Sequence, residues 1–261
     1  MGRIATVALT LVLAAPAGAA VAPDDPRPDP RERRPALARV ESERLALVPG
    51  DGRARAADRF RARYGGDWSF AYDRRSDHPA LIQGAGIPLV PGRGNRLGGG
   101  ARAGERVTLD TLAAEVRRLL AANGPLLVPA AGRLELDRAA SSIREQGRLA
   151  SLLFRWSVGG VPVERAHVFV RINSGNVTQL GAPLVGRLTE DPVPAIDRER
   201  AIELLMRHSG DGEIYRMREA PALVFQPEEH DGRLDYRLVW KMSYRVLGRI
   251  ETWEGRVDAH T

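Results

Sequence analysis

The stretch RLDYRLVWKMSYRV, residues 233–246, sets Leu234, Tyr236, Leu238, Trp240, Met242, Tyr244 and Val246 at every second position. Side chains alternate across a strand, so all seven share one face. A helix cannot gather them, because its period is 3.6 residues. A strand this apolar on one side has to bury that side against a second layer. The same period recurs upstream. In LASLLFRWSV, Leu152, Phe154, Trp156 and Val158 point one way, and Gly159-Gly160 follows as a turn. In VERAHVFVRIN, Ala166, Val168, Val170 and Ile172 share a face opposite Arg165, His167 and Arg171. Asn173-Ser174-Gly175 supplies the positive φ that a hairpin turn demands. Val177 and Leu180 continue on the return strand.

Helical signals stand ahead of the strands. RARAADRFRARY (53–64) turns Ala57 and Phe60 inward. In TLDTLAAEVRRLLAANG, Thr108 or Asp110 caps a helix whose apolar face is Leu112, Val116, Leu119 and Leu120, and Asn123-Gly124 ends it. Asp197 caps RERAIELLMRH, with Ala201, Ile202, Leu204 and Leu205 inward. Trp68, Phe70 and Tyr72 alternate as a strand, with PALIQG as partner. PALVFQP reads as a strand, EEHDG as a turn, and RIETWEGRVDA closes the set. Helix followed by antiparallel strands occurs twice, and the class expected is α+β.

The first residues belong to no core. Arg3, the apolar run Ile4 to Ala15 and small-residue sites after Ala19 or Ala22 make a signal-peptide pattern. The run is short for a bilayer span, so the expectation is export to the periplasm or the exterior, with no membrane span after signal removal. PDDPRPDPRERRPA (23–36) reads as a Pro-rich, charged arm. There is no cysteine, which removes disulfide and thiolate chemistry. The net charge is +6, but acidic residues are interleaved throughout and no basic platform forms. Nucleic acid is therefore not an expected partner.

Catalytic patterns are missing from this chain. The histidines His78, His167, His208, His230 and His260 include no H-E-x-x-H pair. Glu228 to Asp231 groups a histidine with carboxylates, but in an evident turn. Ser174 lies outside any G-x-S-x-G. PGRGNRLGGGARAG (91–104) fits neither phosphate-binding glycine signature. No cofactor and no metal are expected, and no catalytic role for the chain itself.

Five segments carry a resemblance. FRWSVGGVPVERAHVFVRINSGNVTQLGA resembles the FTP module of fungalysin-like and thermolysin-like metalloprotease pro-regions. Gly160, Val161, Pro162 and Val163 match its G-V-P-V signature, and Asn173 to Asn176, with Gly175, match its turn. IDRERAIELL, PALVFQP, YRLVWKMSYRV and WEGRVDAHT resemble the PepSY-like half of such pro-regions, with Leu238, Trp240, Trp253, Asp258, Ala259 and Thr261 on its motif. The resemblance covers roughly residues 145–261. It implies two small helix-on-antiparallel-sheet (cystatin-like) units. The organisation expected is a signal peptide over 1–22, a linker over 23–43, a lead-in region over 44–140, an FTP-like module over 141–190 and a PepSY-like module over 191–261. The function it implies is non-catalytic: an intramolecular chaperone and inhibitor of a zinc metalloprotease domain, in cis or in trans. The alternative is a binding module of a larger secreted protein without protease activity. Docking is expected at strand edges between Val161 and Phe169, by added-strand pairing.

Overall fold

The computed structural model describes residues 45–46, 51–76, 78–91, 97, 107–145, 148–208, 214–246 and 251–261. The expected signal peptide, the linker and most of the Gly-rich stretch lie outside the described residues. Eleven strands and four helices are seen among them. In chain order they are β1 (Leu45–Ala46), α1 (Asp51–Tyr64), β2 (Trp68–Asp73), β3 (Pro79–Pro88), α2 (Leu109–Ala122) and α3 (Gly124–Leu127). There follow β4 (Arg133–Leu136), β5 (Ser142–Arg144), β6 (Leu149–Val158), β7 (Val161–Asn173) and β8 (Asn176–Gly181). The chain continues with α4 (Arg198–His208), β9 (Ile214–His230), β10 (Arg233–Val246) and β11 (Trp253–Asp258).

Local chemistry explains these elements. Thr108 and Thr111 form a reciprocal capping box at the start of α2. The Asp197 carboxylate accepts the Arg200 N–H at 2.7 Å and opens α4. Between β7 and β8, Ser174 (φ 48°) and Gly175 (φ 78°) both adopt the left-handed conformation of a type I′ turn, which matches the strand twist.

The strands form one sheet in the order β1-β2-β3-β8-β7-β9-β10-β11, with β6 on the other edge of β7 and β4 and β5 paired to β6. Every pairing is antiparallel except β7 with β9, which meet in parallel through the single register pair Val163 and Phe225. The pairing of β6 with β7 is irregular between Arg155 and Ser157. Arg165, inside the extra length of β7, has φ 65°. This bulge bends β7 and frees its first residues to face β9.

Two small helix-on-sheet units are not what forms. Among the described residues strand outweighs helix, 48% against 24%, so the sheet sets the architecture. One core runs from Ala56 on α1 to Ala259 after β11 and includes Phe225, Leu234, Tyr236 and Leu238 from the second expected unit. The physical reason lies in the length of β10. Its first half buries Leu234, Tyr236 and Leu238 in the main core, and its second half puts Met242 and Tyr244 beneath Ala201 and Leu205 of α4. One strand thus serves two helical layers. On the main layer, Phe60 of α1 meets Trp68 and Phe70 edge-on, with ring centroids 5.2 and 5.7 Å away.

Gly181 marks a close approach between strands. A Cβ there would stand 2.2 Å from the Ala80 carbonyl oxygen and 2.9 Å from Phe169. Overpacking of this kind costs about 1–3 kcal/mol. Gly181→Ala is expected to lower stability by that amount in a urea melt, with an unchanged transition slope.

Candidate functional site

The residues singled out by the sequence fall into two groups. Those of the first group build the place where the halves of the sheet join. Gly160 sits exposed in the β6–β7 turn, Pro162 is exposed, and Val161 and Val163 are buried. Trp240 donates its indole N–H to the Ile196 carbonyl at 3.0 Å. Ala259 is wholly buried, and its carbonyl accepts the N–H groups of Ala195 and Ile196 at 2.8 and 3.1 Å. The Asp258 carboxylate accepts from Arg237 at 3.0 Å. The second group lies along β7. Asn173 and Gly175 hold the β7–β8 turn, where the Gly175 carbonyl takes the N–H groups of Leu89 and Val90 at 2.9 and 3.2 Å. Phe169 stands with His167 and Arg171 on the opposite face of β7 from Val168 and Val170.

A charged network ties the first group together, and sequence reasoning missed it. Glu164 directly follows the G-V-P-V turn. Its carboxylate accepts from Lys241 Nζ at 2.7 Å and from Arg256 Nη1 at 2.6 Å. Arg256 also donates to Gln226 at 2.8 Å and to Glu254 at 2.6 Å, and Lys241 lies 3.0 Å from Glu254. Two cations and two carboxylates therefore balance across β7, β9, β10 and β11. Burial opposes the charge on Lys241, but Glu164 and Glu254 outweigh it and hold the ammonium pKa above its ordinary value. Burial likewise opposes ionisation of Glu254, and Arg256 and Lys241 outweigh it and hold that pKa down. One signal was present in the sequence: Lys241 is the only lysine of a chain whose other cations are arginines, and it interrupts an apolar strand.

The outward face of β7 has another character. The Arg171 guanidinium lies over the Phe169 ring, 5.6 Å from its centroid. It also donates to Gln179 at 2.8 Å, and Gln179 reaches Gln83 at 3.4 Å. The His167 ring is tilted beside Phe169 at 6.3 Å. Burial pushes the His167 pKa down, so this imidazole favours its neutral form. Leu153 stands opposite Phe169 on β6. Among the described residues, no carboxylate pairs with Arg171. Arg155, by contrast, donates to Asp137 at 2.5 Å. An open groove of about 640 Å³ starts at Gln179 and Gln83 and continues past Thr178, Ser69, Asp67 and Arg61.

Added-strand pairing along Val161–Phe169 does not fit this geometry. β7 lies inside the sheet: β6 follows one edge, and β8 and β9 take the other at Phe169–Asn173 and at Val163. What Phe169 offers to a partner is a face.

The Glu228–Asp231 group is also placed differently from its reading as a turn. Glu228, Glu229 and His230 end β9, and only Asp231-Gly232 turns. Arginines hold both glutamates, Arg237 on Glu228 at 3.2 Å and Arg75 on Glu229 at 3.4 Å. Among the described residues no group of three or more His, Cys, Asp or Glu side chains is placed to hold a metal ion. No helix among them is long and apolar enough to cross a membrane.

No protein-family model matches the chain, and no curated protein matches it.

Proposed function

We propose that this chain is a non-catalytic docking module of the pro-region kind, which binds a secreted zinc metalloprotease domain, assists its folding and restrains its activity. The observation that carries the reading is the pairing of Phe169 with Arg171 on the outward face of the central strands. An aromatic ring under a guanidinium without a carboxylate is the composition of a binding hot spot. The G-V-P-V residues support the same reading from the other side: they are spent on the sheet junction and leave this face to a partner. A partner that presents a carboxylate to Arg171 and an apolar group to Phe169 and Leu153 fits it. A prefolded face that favours the native-like protease over its unfolded chain stabilises it by mass action.

The test is binding to the H-E-x-x-H domain encoded nearest to this chain, measured by calorimetry. Phe169→Ala is expected to weaken binding by about thirty-fold, the usual loss at a hot spot. Arg171→Glu, an exposed change that leaves the core intact, is expected to weaken it at least as much. Equal affinity for the wild type and both variants would remove this face from the interaction.

A further inference from the structure

The last turn of the chain crosses a segment that has no regular structure, Glu190–Ile196, and one imidazole joins the two. His260 Nδ1 is 2.9 Å from the Glu190 carboxylate, and His260 Nε2 is 3.0 Å from the Val193 carbonyl. Both neighbours are pure acceptors. A neutral imidazole carries one N–H and one lone pair. In either neutral tautomer, a lone pair would face an acceptor oxygen. Only the imidazolium donates to both at once.

We propose that His260 is a protonation-dependent clasp, closed as the imidazolium, that holds residues 258–261 against residues 190–196. The surrounding contacts make the clasp matter beyond one side chain. Ala259 is wholly buried, its carbonyl holds the N–H groups of Ala195 and Ile196, and its own N–H donates to Leu238 at 2.9 Å. Opening the clasp frees the outer end of this patch, and the backbone bonds at Ala259 are next in line.

The charged groups facing His260 favour closure. Glu190 comes from the crossing segment, where Asp191 caps the Val193 N–H at 2.9 Å. Asp258 comes from the end of β11 and accepts the His260 backbone N–H at 2.8 Å. Arg237 on β10 is engaged with Asp258 and Glu228. The Val193 carbonyl, and then Glu190 and Asp258, hold the imidazole pKa above its ordinary value. The sign follows. A histidine whose folded pKa is raised contributes fully below the unfolded value, near 6.5, and loses its contribution as pH rises through the folded value. The clasp is closed in mildly acidic solution and opens as pH rises through the raised folded value.

The test combines a histidine titration by NMR with amide exchange on the full chain. His260 is expected to titrate above the ordinary imidazole range, and Glu190→Gln to bring it back down. Protection of the Ala195, Ile196 and Ala259 amides, corrected for intrinsic exchange, is expected to fall roughly three-fold across that titration, the size of effect an exposed ion pair gives. His260→Asn, which cannot be charged, is expected to show the same protection at both ends of the range. An imidazole titrating at or below its ordinary value, or protection in the wild type that does not change with pH, would overturn the clasp.

Discussion

Replacing Trp156 by Ala is expected to cost about 3–5 kcal/mol, the range for removing a large aromatic from a filled core. Trp156 is completely buried, and its indole N–H donates to the Ala131 carbonyl at 2.8 Å. The ring stands edge-on to Tyr236 of β10, with centroids 5.4 Å apart. It therefore loses an aromatic contact to the second half of the sheet as well as its own volume. A scanning calorimetry trace of the wild type is expected to show one transition, and Trp156→Ala to move that whole transition downward. Two units folding separately would give two transitions, with the later one untouched by the substitution. That pattern would contradict a shared core.

Removing the Glu164 carboxylate is the second large effect. Glu164→Ala leaves Lys241 and Arg256 facing each other without it, with side chains only 29% and 16% exposed. Breaking a fully buried pair costs 3–5 kcal/mol; partial exposure here lowers the expected loss to about 2–3 kcal/mol. Glu164→Gln keeps the shape and an acceptor and is expected to lose less. The pH dependence follows from the flanking groups. Glu254, with its pKa held down, contributes above the unfolded carboxylate value near 4.3 and loses that contribution as pH falls through its folded value. Lys241, with its pKa held up, contributes below about 10.4 and loses it as pH rises through its folded value. Wild-type stability, followed by urea melts, is expected to keep both contributions from about pH 5 to 10 and to lose them outside that window.

Individual elements were legible because their signals are local. Seven apolar residues at period two fix β10, and the Asp197 cap with its apolar face fixes α4. The hairpin turns at Gly159-Gly160 and Ser174-Gly175 were readable for the same reason. The joining of the halves was not. It depends on a one-residue parallel contact, Val163 with Phe225, and on a bulge at Arg165, which no periodicity records. β4 and β5 escaped notice because they are short and leave every residue at least partly exposed. The candidate site was legible in part. Phe169 lay within the stretch expected to dock, but the mode of docking depends on which strands flank β7, and that is decided by distant segments. Glu164 finds Lys241 and Arg256 from 77 and 92 positions away, a distance over which a single sequence carries no pairing signal.

The most direct measurement is the activity of the H-E-x-x-H domain encoded nearest to this chain, assayed after refolding with and without it. The account predicts that the chain raises the yield of native protease and slows its hydrolysis of a peptide substrate until the chain is removed, and that Arg171→Glu loses both effects while staying folded. Protease that refolds and cleaves equally well in the presence and absence of the chain would contradict it.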